Sequence, residues 1–190
     1  MRLVIASDIH GSASAAHALA LLVEKESPDR IVLLGDLLYH GPRNDLPEGY
    51  APKEVARLLN GWAAQIVAVR GNCDAEVDQM VLDFPCQADY ALIEADGHLL
   101  YLTHGHVGGM SPDDPPQLAS GSAFLSGHTH IKTMEERDGV LFVNPGSTSL
   151  PKDGLASYAT YDEGRFALKL LSGETLNEGT WRKSPNVGSM

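Results

Sequence analysis

Only two cysteines, Cys73 and Cys86, stand among 190 residues. That is too few for the disulfide framework with which small secreted domains replace a large core, so a reducing compartment and no disulfide are expected. No stretch approaches the roughly 20 apolar residues of a membrane span. The first apolar run, Leu3 to Ala6, stops at Ser7 and Asp8, too soon for the core of a signal peptide. A cytoplasmic protein with no membrane partner is the expectation. Positive charge is also scarce: 14 Lys and Arg against 25 Asp and Glu leave a formal net charge of −11. Long nucleic acid is held by clustered Lys and Arg that neutralise phosphates, so it is not an expected partner. A small phosphate compound bound locally stays compatible. Repeats and low-complexity segments are missing as well. With 43% hydrophobic and 21% charged residues, the chain falls in the globular class at a length that suits one domain. That domain is placed at residues 1–177, and the polar, non-periodic stretch from Glu178 to Met190 is expected to be a loose tail.

Residues 2–7 form a short apolar run that reads as a buried strand. Ser12 to Glu26 reads as a helix with Ser12 or Ser14 as cap and Leu19, Leu22 and Val23 on one face. Ile31 to Leu34 and Ile66 to Val69 read as further strands with a helix over Lys53 to Trp62 between them. Alternation of this kind implies a parallel sheet. From about residue 89 the pattern changes to strand pairs. Tyr90–Ala95 and Leu99–Thr103 flank Asp96-Gly97-His98, Thr133–Arg137 and Val140–Val143 flank Asp138-Gly139, and Ala156–Tyr161 and Arg165–Leu171 flank Asp162-Glu163-Gly164. Asp-Gly between such runs signals a tight hairpin whose turn needs two positive φ angles. Gly- and Pro-rich loops are expected at 39–52 and 105–121.

Five polar segments follow apolar strands: Asp8-Ile9-His10, Gly35-Asp36, Gly71-Asn72-Cys73-Asp74, Thr103-His104-Gly105-His106 and Gly127-His128-Thr129-His130. Each alone is weak, since an isolated Asp-x-His or His-x-His is more often a turn or a surface pair. Their shared placement is the stronger signal, because sites in α/β sheets form outside the carboxyl ends of strands. Carboxylate, imidazole and amide oxygen together make a mixed N/O ligand set that suits Mn, Fe or Zn. Asp36 has two oxygens and could bridge two cations; His128 and His130 fall on one side by alternation.

In this order the segments resemble the signature of the calcineurin-like metallophosphoesterase family: Asp-x-His, Gly-Asp, Gly-Asn-His-Asp/Glu, a lone His and Gly-His-x-His. The resemblance covers residues 3 to about 150, through Asn144-Pro145-Gly146-Ser147. It implies a four-layer α/β/β/α sandwich of two mixed sheets. It also implies two divalent ions, Mn2+ first, with Fe, Zn, Co or Ni compatible: one held by Asp8, His10, Asp36 and His130, the other by Asp36, Asn72, His104 and His128. Two such ions carry +4 while Asp8, Asp36 and a bridging hydroxide carry −3, so the site would attract a phosphate anion and hydroxide could attack phosphorus in line. A small phosphate ester is the implied substrate. Where many members carry a His thought to protonate the leaving group, this chain has Cys73; that favours readily departing leaving groups, and hence phosphodiesters over alkyl monoesters. Cys73 also reads as a small buried filler. Asp74 and His106 could orient ligands, Asn72 and Arg43 could meet substrate, and Arg70 is better placed for a structural ion pair. A phosphomonoesterase, a nuclease or a metal-free interaction scaffold on the same fold are the competing readings; all seven ligand positions are filled, which disfavours the scaffold. The exposed faces of a small sandwich could also pair into a homo-oligomer.

Overall fold

A computed structural model describes residues 1–181. Alternating strands and helices open the chain: β1 (Arg2–Ala6), α1 (Ala13–Glu26), β2 (Arg30–Leu33), α2 (Pro52–Asn60) and β3 (Ile66–Ala68). β2 lies between β1 and β3, all parallel. Leu3 to Ala6 are wholly buried because this sheet is covered on both faces. Alternation then sorts the side chains. Val4, Ala6, Ile31 and Leu33 pack beneath the helices against Leu19, Val23, Val55 and Leu59, while Leu3, Ile5, Val32 and Leu34 face the other way.

The helix α1 begins where expected. Ser12 Oγ accepts the amide of Ala15 at 3.1 Å and donates to the Glu48 carbonyl at 2.7 Å, so one buried hydroxyl both caps the helix and pins the 39–52 loop to it. Ser12→Ala should lower the unfolding free energy by about 1–2 kcal/mol, read as an earlier chemical-denaturation midpoint with an unchanged slope. A midpoint that does not move would refute the capping role.

The second half supplies β4 (Tyr90–Ala95), β5 (His98–Thr103), β6 (Ala123–Leu125), β7 (Thr133–Arg137), β8 (Val140–Asn144), β9 (Ser157–Asp162), β10 (Arg165–Leu170) and β11 (Thr175–Thr180). They split between two mixed sheets, ordered β11-β10-β9-β1-β2-β3 and β4-β5-β6-β8-β7. The three expected hairpins form, and both turn residues have positive φ in each: Asp96 53° and Gly97 81°, Asp138 50° and Gly139 78°, Glu163 47° and Gly164 81°. Between the sheets lies a second core, in which Leu3, Ile5, Val32 and Leu34 meet Leu100, Leu102, Ala123, Leu125, Leu141 and Val143.

The two mixed sheets are those the resemblance implied. The outer face of the second sheet is covered by the 105–121 loop, with Met110 and Leu118 packed on Tyr101, Phe124, Val140 and Phe142. Pro112, Pro115 and Pro116 lie in that segment and exclude a regular helix there. The tail boundary moves, because β11 includes Glu178, Gly179 and Thr180. All six of its residues are exposed, and it is held by backbone pairing to β10, so no apolar alternation announces it. The remainder of the expected tail, 182–190, lies outside the described residues. Among the described residues no helix is long and apolar enough to cross a membrane.

Candidate metal centre

The loops after β1, β2 and β3 on the first sheet and after β5 and β6 on the second meet at one end of the sandwich. Backbone hydrogen bonds lace them together: the amides of Asp8, His10 and Gly11 donate to the carbonyls of Gly35, Asp36 and Leu37 at 3.1, 2.9 and 2.9 Å, and Gly127 donates to His104 at 3.1 Å. Asp8, His10, Asp36, His128 and His130 all have φ between 49° and 68°. This left-handed backbone is costly for residues with a Cβ and persists where the surroundings over-determine it, as at functional sites. The loops also approach closely. A Cβ on Gly71 would lie 2.1 Å from Asp36 Oδ1, and one on Gly127 would lie 1.9 Å from Ser7 Oγ.

The side chains converge accordingly. His10 Nε2 is 3.2 Å from His130 Nε2, 3.6 Å from Asp8 Oδ1 and 3.7 Å from Asp36 Oδ2; His130 Nε2 is 3.1 Å from Asp8 Oδ1. On the other side of Asp36, His104 Nε2 is 3.4 Å from its Oδ2 and 3.1 Å from Asn72 Oδ1. Asp36 Oδ2 thus lies between two clusters, while its Oδ1 accepts the Cys73 amide at 2.7 Å. His128 stands slightly back, its ring 5.1 Å from that of His104.

Three histidines are fixed in one tautomer by carbonyls: Nδ1 of His10, His104 and His130 lies 2.8, 2.7 and 2.7 Å from the oxygens of Tyr39, Leu34 and Leu150. With Nδ1–H donated outward, each Nε2 lone pair faces the cluster. Two such lone pairs 3.2 Å apart repel unless a cation or a proton lies between them. Asp8 Oδ1, buried and without a hydrogen-bond partner among the described residues, points into the same place. These features fit a bound metal, and the mixed N/O donors suit Mn, Fe, Zn, Co or Ni.

Among the protein groups alone, protons take the cation's part. Burial works against a charged Asp8, but the adjacent imidazoles of His10 and His130, when protonated, outweigh it and hold the carboxyl well below the usual range. Asp36 is lowered likewise, against burial, by His104. Burial would depress His104, yet its contact with Asp36 and the charge of Asp8 raise it to about 9. His10 is raised by Asp8 in the same way. His128 and His106 go down, burial first and the neighbouring His104 second.

The other candidate residues sort by contact. The Asp74 carboxylate accepts the amides of Asp36, Leu37 and Gly71 at 2.8, 2.8 and 2.7 Å and so sets the loop that carries Asp36. His106 packs its ring 5.3 Å from that of His104, and its buried Nδ1 has no hydrogen-bond partner among the described residues. Cys73 is half-buried beside Asp36, and burial followed by that carboxylate's charge pushes its thiol up to about 12. Arg43, Asn72, Cys73, His128 and His130 line one cavity of about 340 Å3. Arg70 pairs with Asp89 at 2.6 Å, as its strand-end position suggested.

Lys152 lines that same cavity and is not singled out by any motif, since it is brought in by the chain following Asn144-Pro145-Gly146-Ser147. Ser7, Ser147 and Ser149 are also new. Ser7 Oγ donates to Asp8 Oδ2 at 2.6 Å, and Ser147 and Ser149 donate to the Asp8 carbonyl at 2.8 and 3.0 Å.

Residues 1–164 match the family model described as the calcineurin-like phosphoesterase superfamily domain. The chain is 44% identical over 177 residues to the Escherichia coli K12 phosphodiesterase YfcE, covering 93% of this chain and 95% of that one. The solved E. coli YfcE structure, described as a phosphoesterase, superposes with a TM-score of 0.92 at 42% identity, over 96% of this chain and all of the other. A zinc-complexed Vps29 from Entamoeba histolytica, 17% identical with a TM-score of 0.61 over 96% of this chain and 100% of its own, shares the fold. Motif order, site geometry and these likenesses agree: the chain belongs to the calcineurin-like phosphoesterase superfamily.

Proposed function

We propose that this phosphoesterase hydrolyses phosphodiesters, in preference to alkyl monoesters, at a centre of two divalent ions, with Mn2+ the first candidate and a small phosphate ester as substrate. The observation that carries the reading is Asp36 Oδ2, set 3.7 Å from His10 Nε2 and 3.4 Å from His104 Nε2. A carboxylate shared between two imidazole-bearing clusters is what a two-cation site requires. Asp8, His10, Asp36 and His130 would hold one ion; Asp36, Asn72, His104 and His128 the other. Such a pair supplies Lewis acidity and a nucleophile drawn from water. The chain's own residues do the rest. Arg43 and Lys152 bring positive charge to the cavity where phosphoryl oxygens would lie, Asp74 keeps the Asp36 loop in place, and Cys73 stands where a leaving group could be protonated. A thiol whose proton is held to about 12 is a weak acid, so esters with readily departing groups are favoured. The likeness to a protein named phosphodiesterase supports the same choice.

The test compares bis-p-nitrophenyl phosphate with p-nitrophenyl phosphate, using chelator-stripped protein with and without Mn2+. Metal-dependent cleavage that favours the diester is expected. Strong preference for the monoester would overturn the Cys73 argument, and no cleavage with any divalent ion would bring the scaffold reading forward. Cys73→His should raise turnover of a diester with an alkyl leaving group by ~10-fold or more, because a positioned acid gives 10² to 10⁴ at most sites. Cys73→Ala should leave the aryl diester within about two-fold; a larger loss would give the thiol a part in that reaction.

A further inference from the structure

A second cavity of about 850 Å3 begins at the other side of Cys73, which lines both. Its walls are carbon-rich. Tyr39 and Tyr50 come from the 39–52 loop and flank His40, with ring centroids 4.7 and 5.2 Å from it; Ala56 comes from α2, and Val77 and Val81 from the segment after Asn72. Tyr39, Val77 and Val81 are 42%, 60% and 50% exposed. An open apolar surface that adjoins a polar site is commonly a ligand groove, and this one has the size of a small organic ligand rather than of a protein partner.

Charge says which way a ligand would lie. Arg43 and Lys152 face the smaller cavity, with the candidate metal ligands lining it; the larger one also has Lys53, Arg57 and Asp78 on its wall, Arg57 already paired with Glu54 at 2.6 Å, but it offers mainly carbon and aromatic faces. A ligand spanning Cys73 is therefore anionic at one end and apolar at the other. Resting on the phosphodiesterase reading, we propose that this groove is the subsite for one organic arm of the substrate, and that the arm is a flat apolar group of about two rings, held between Tyr39 and Tyr50 on one side and Val77 and Val81 on the other. Aromatic walls favour such an arm because rings stack offset or edge to face.

The test is binding, measured by calorimetry on the Mn2+-loaded protein with two non-hydrolysable probes, methylphosphonate and (2-naphthylmethyl)phosphonate. The naphthyl compound should bind at least ~10-fold more tightly, the scale expected when a ring system leaves water. Val77→Trp, which fills the groove, and Val81→Asp, which makes it polar, should each bring the two affinities to within about three-fold while leaving methylphosphonate unchanged. Equal affinities in the unaltered protein, or a preference that survives both substitutions, would overturn the subsite while the phosphate site stood. If neither phosphonate binds, the anion site itself is refuted, and the phosphodiesterase reading and the subsite fall together.

Discussion

Asp36→Asn should reduce kcat/KM for an aryl phosphodiester by on the order of 10³-fold or more, since loss of a bridging charge removes several kcal/mol of transition-state stabilisation and each 1.36 kcal/mol is a factor of ten. The substitution is almost isosteric, and an amide oxygen can still accept the Cys73 amide now held at 2.7 Å, so the fold should be retained. Neutral amide oxygen is a far poorer bridge between two cations than carboxylate. The accompanying measurement is metal content after dialysis, by elemental analysis beside circular dichroism. A folded variant with reduced metal and little activity is expected. A variant with full metal and activity within ten-fold of the unaltered protein would show that Asp36 is not the shared ligand.

The affinity for a divalent ion should climb steeply with pH, by about ten-fold per unit below the pKa of a proton that the ion must displace. That proton is on His104, raised to about 9 despite burial by Asp36 and Asp8. Between pH 6.5 and 8.5 the rise should approach 100-fold, observable by competition with a chelator whose own protonation is known. The metal-free protein should behave in the opposite sense. A histidine with a folded pKa above its unfolded value contributes stability that is complete below about 6.5 and disappears as pH rises through about 9. Asp8 and Asp36 are lowered, so their contribution is present above their ordinary values and is lost as pH falls through the folded ones. Chelated protein is thus expected to be most stable in mildly acidic solution and loaded protein in mildly alkaline solution. Parallel melting curves over pH would refute this coupling.

Much of the molecule was legible because its signals are local. β1, β2 and β3 announce themselves as apolar runs ending in polar pairs, and Asp96-Gly97 and Asp138-Gly139 announce their hairpins through the φ angles they allow. The candidate ligands could be singled out for the same reason: Asp, His and Asn at strand ends have few structural uses in common. What sequence does not carry is contact between distant backbones. The three carbonyls that fix the imidazoles belong to Leu34, Tyr39 and Leu150, residues with no polar side chain in common, and Asp74 acts through amides 37 and 38 positions back as well as through its own loop. Lys152 reaches the cavity because of how the chain leaves β8. Nor could periodicity show that β5 and β6 end in a different sheet from β1, β2 and β3, or that a proline-rich loop packs on the outer face of that sheet. The apolar groove was invisible for a related reason: its walls come from a loop, a helix and an irregular segment, each ordinary alone.

The division of the candidate ligands between two sheets bears on folding as well as on chemistry. Asp8, His10, Asp36 and Asn72 follow strands of one sheet, and His104, His128 and His130 follow strands of the other. Asp8 and His130, now 3.1 Å apart, are separated by most of the chain. A metal bound to both would close that long loop and clamp the two sheets together, the role a disulfide plays elsewhere, in a protein whose cysteines are both free. Chelation should then quicken hydrogen exchange chiefly along the seam where β1 and β6 end, while the amides of α1, anchored to one sheet alone, keep their protection.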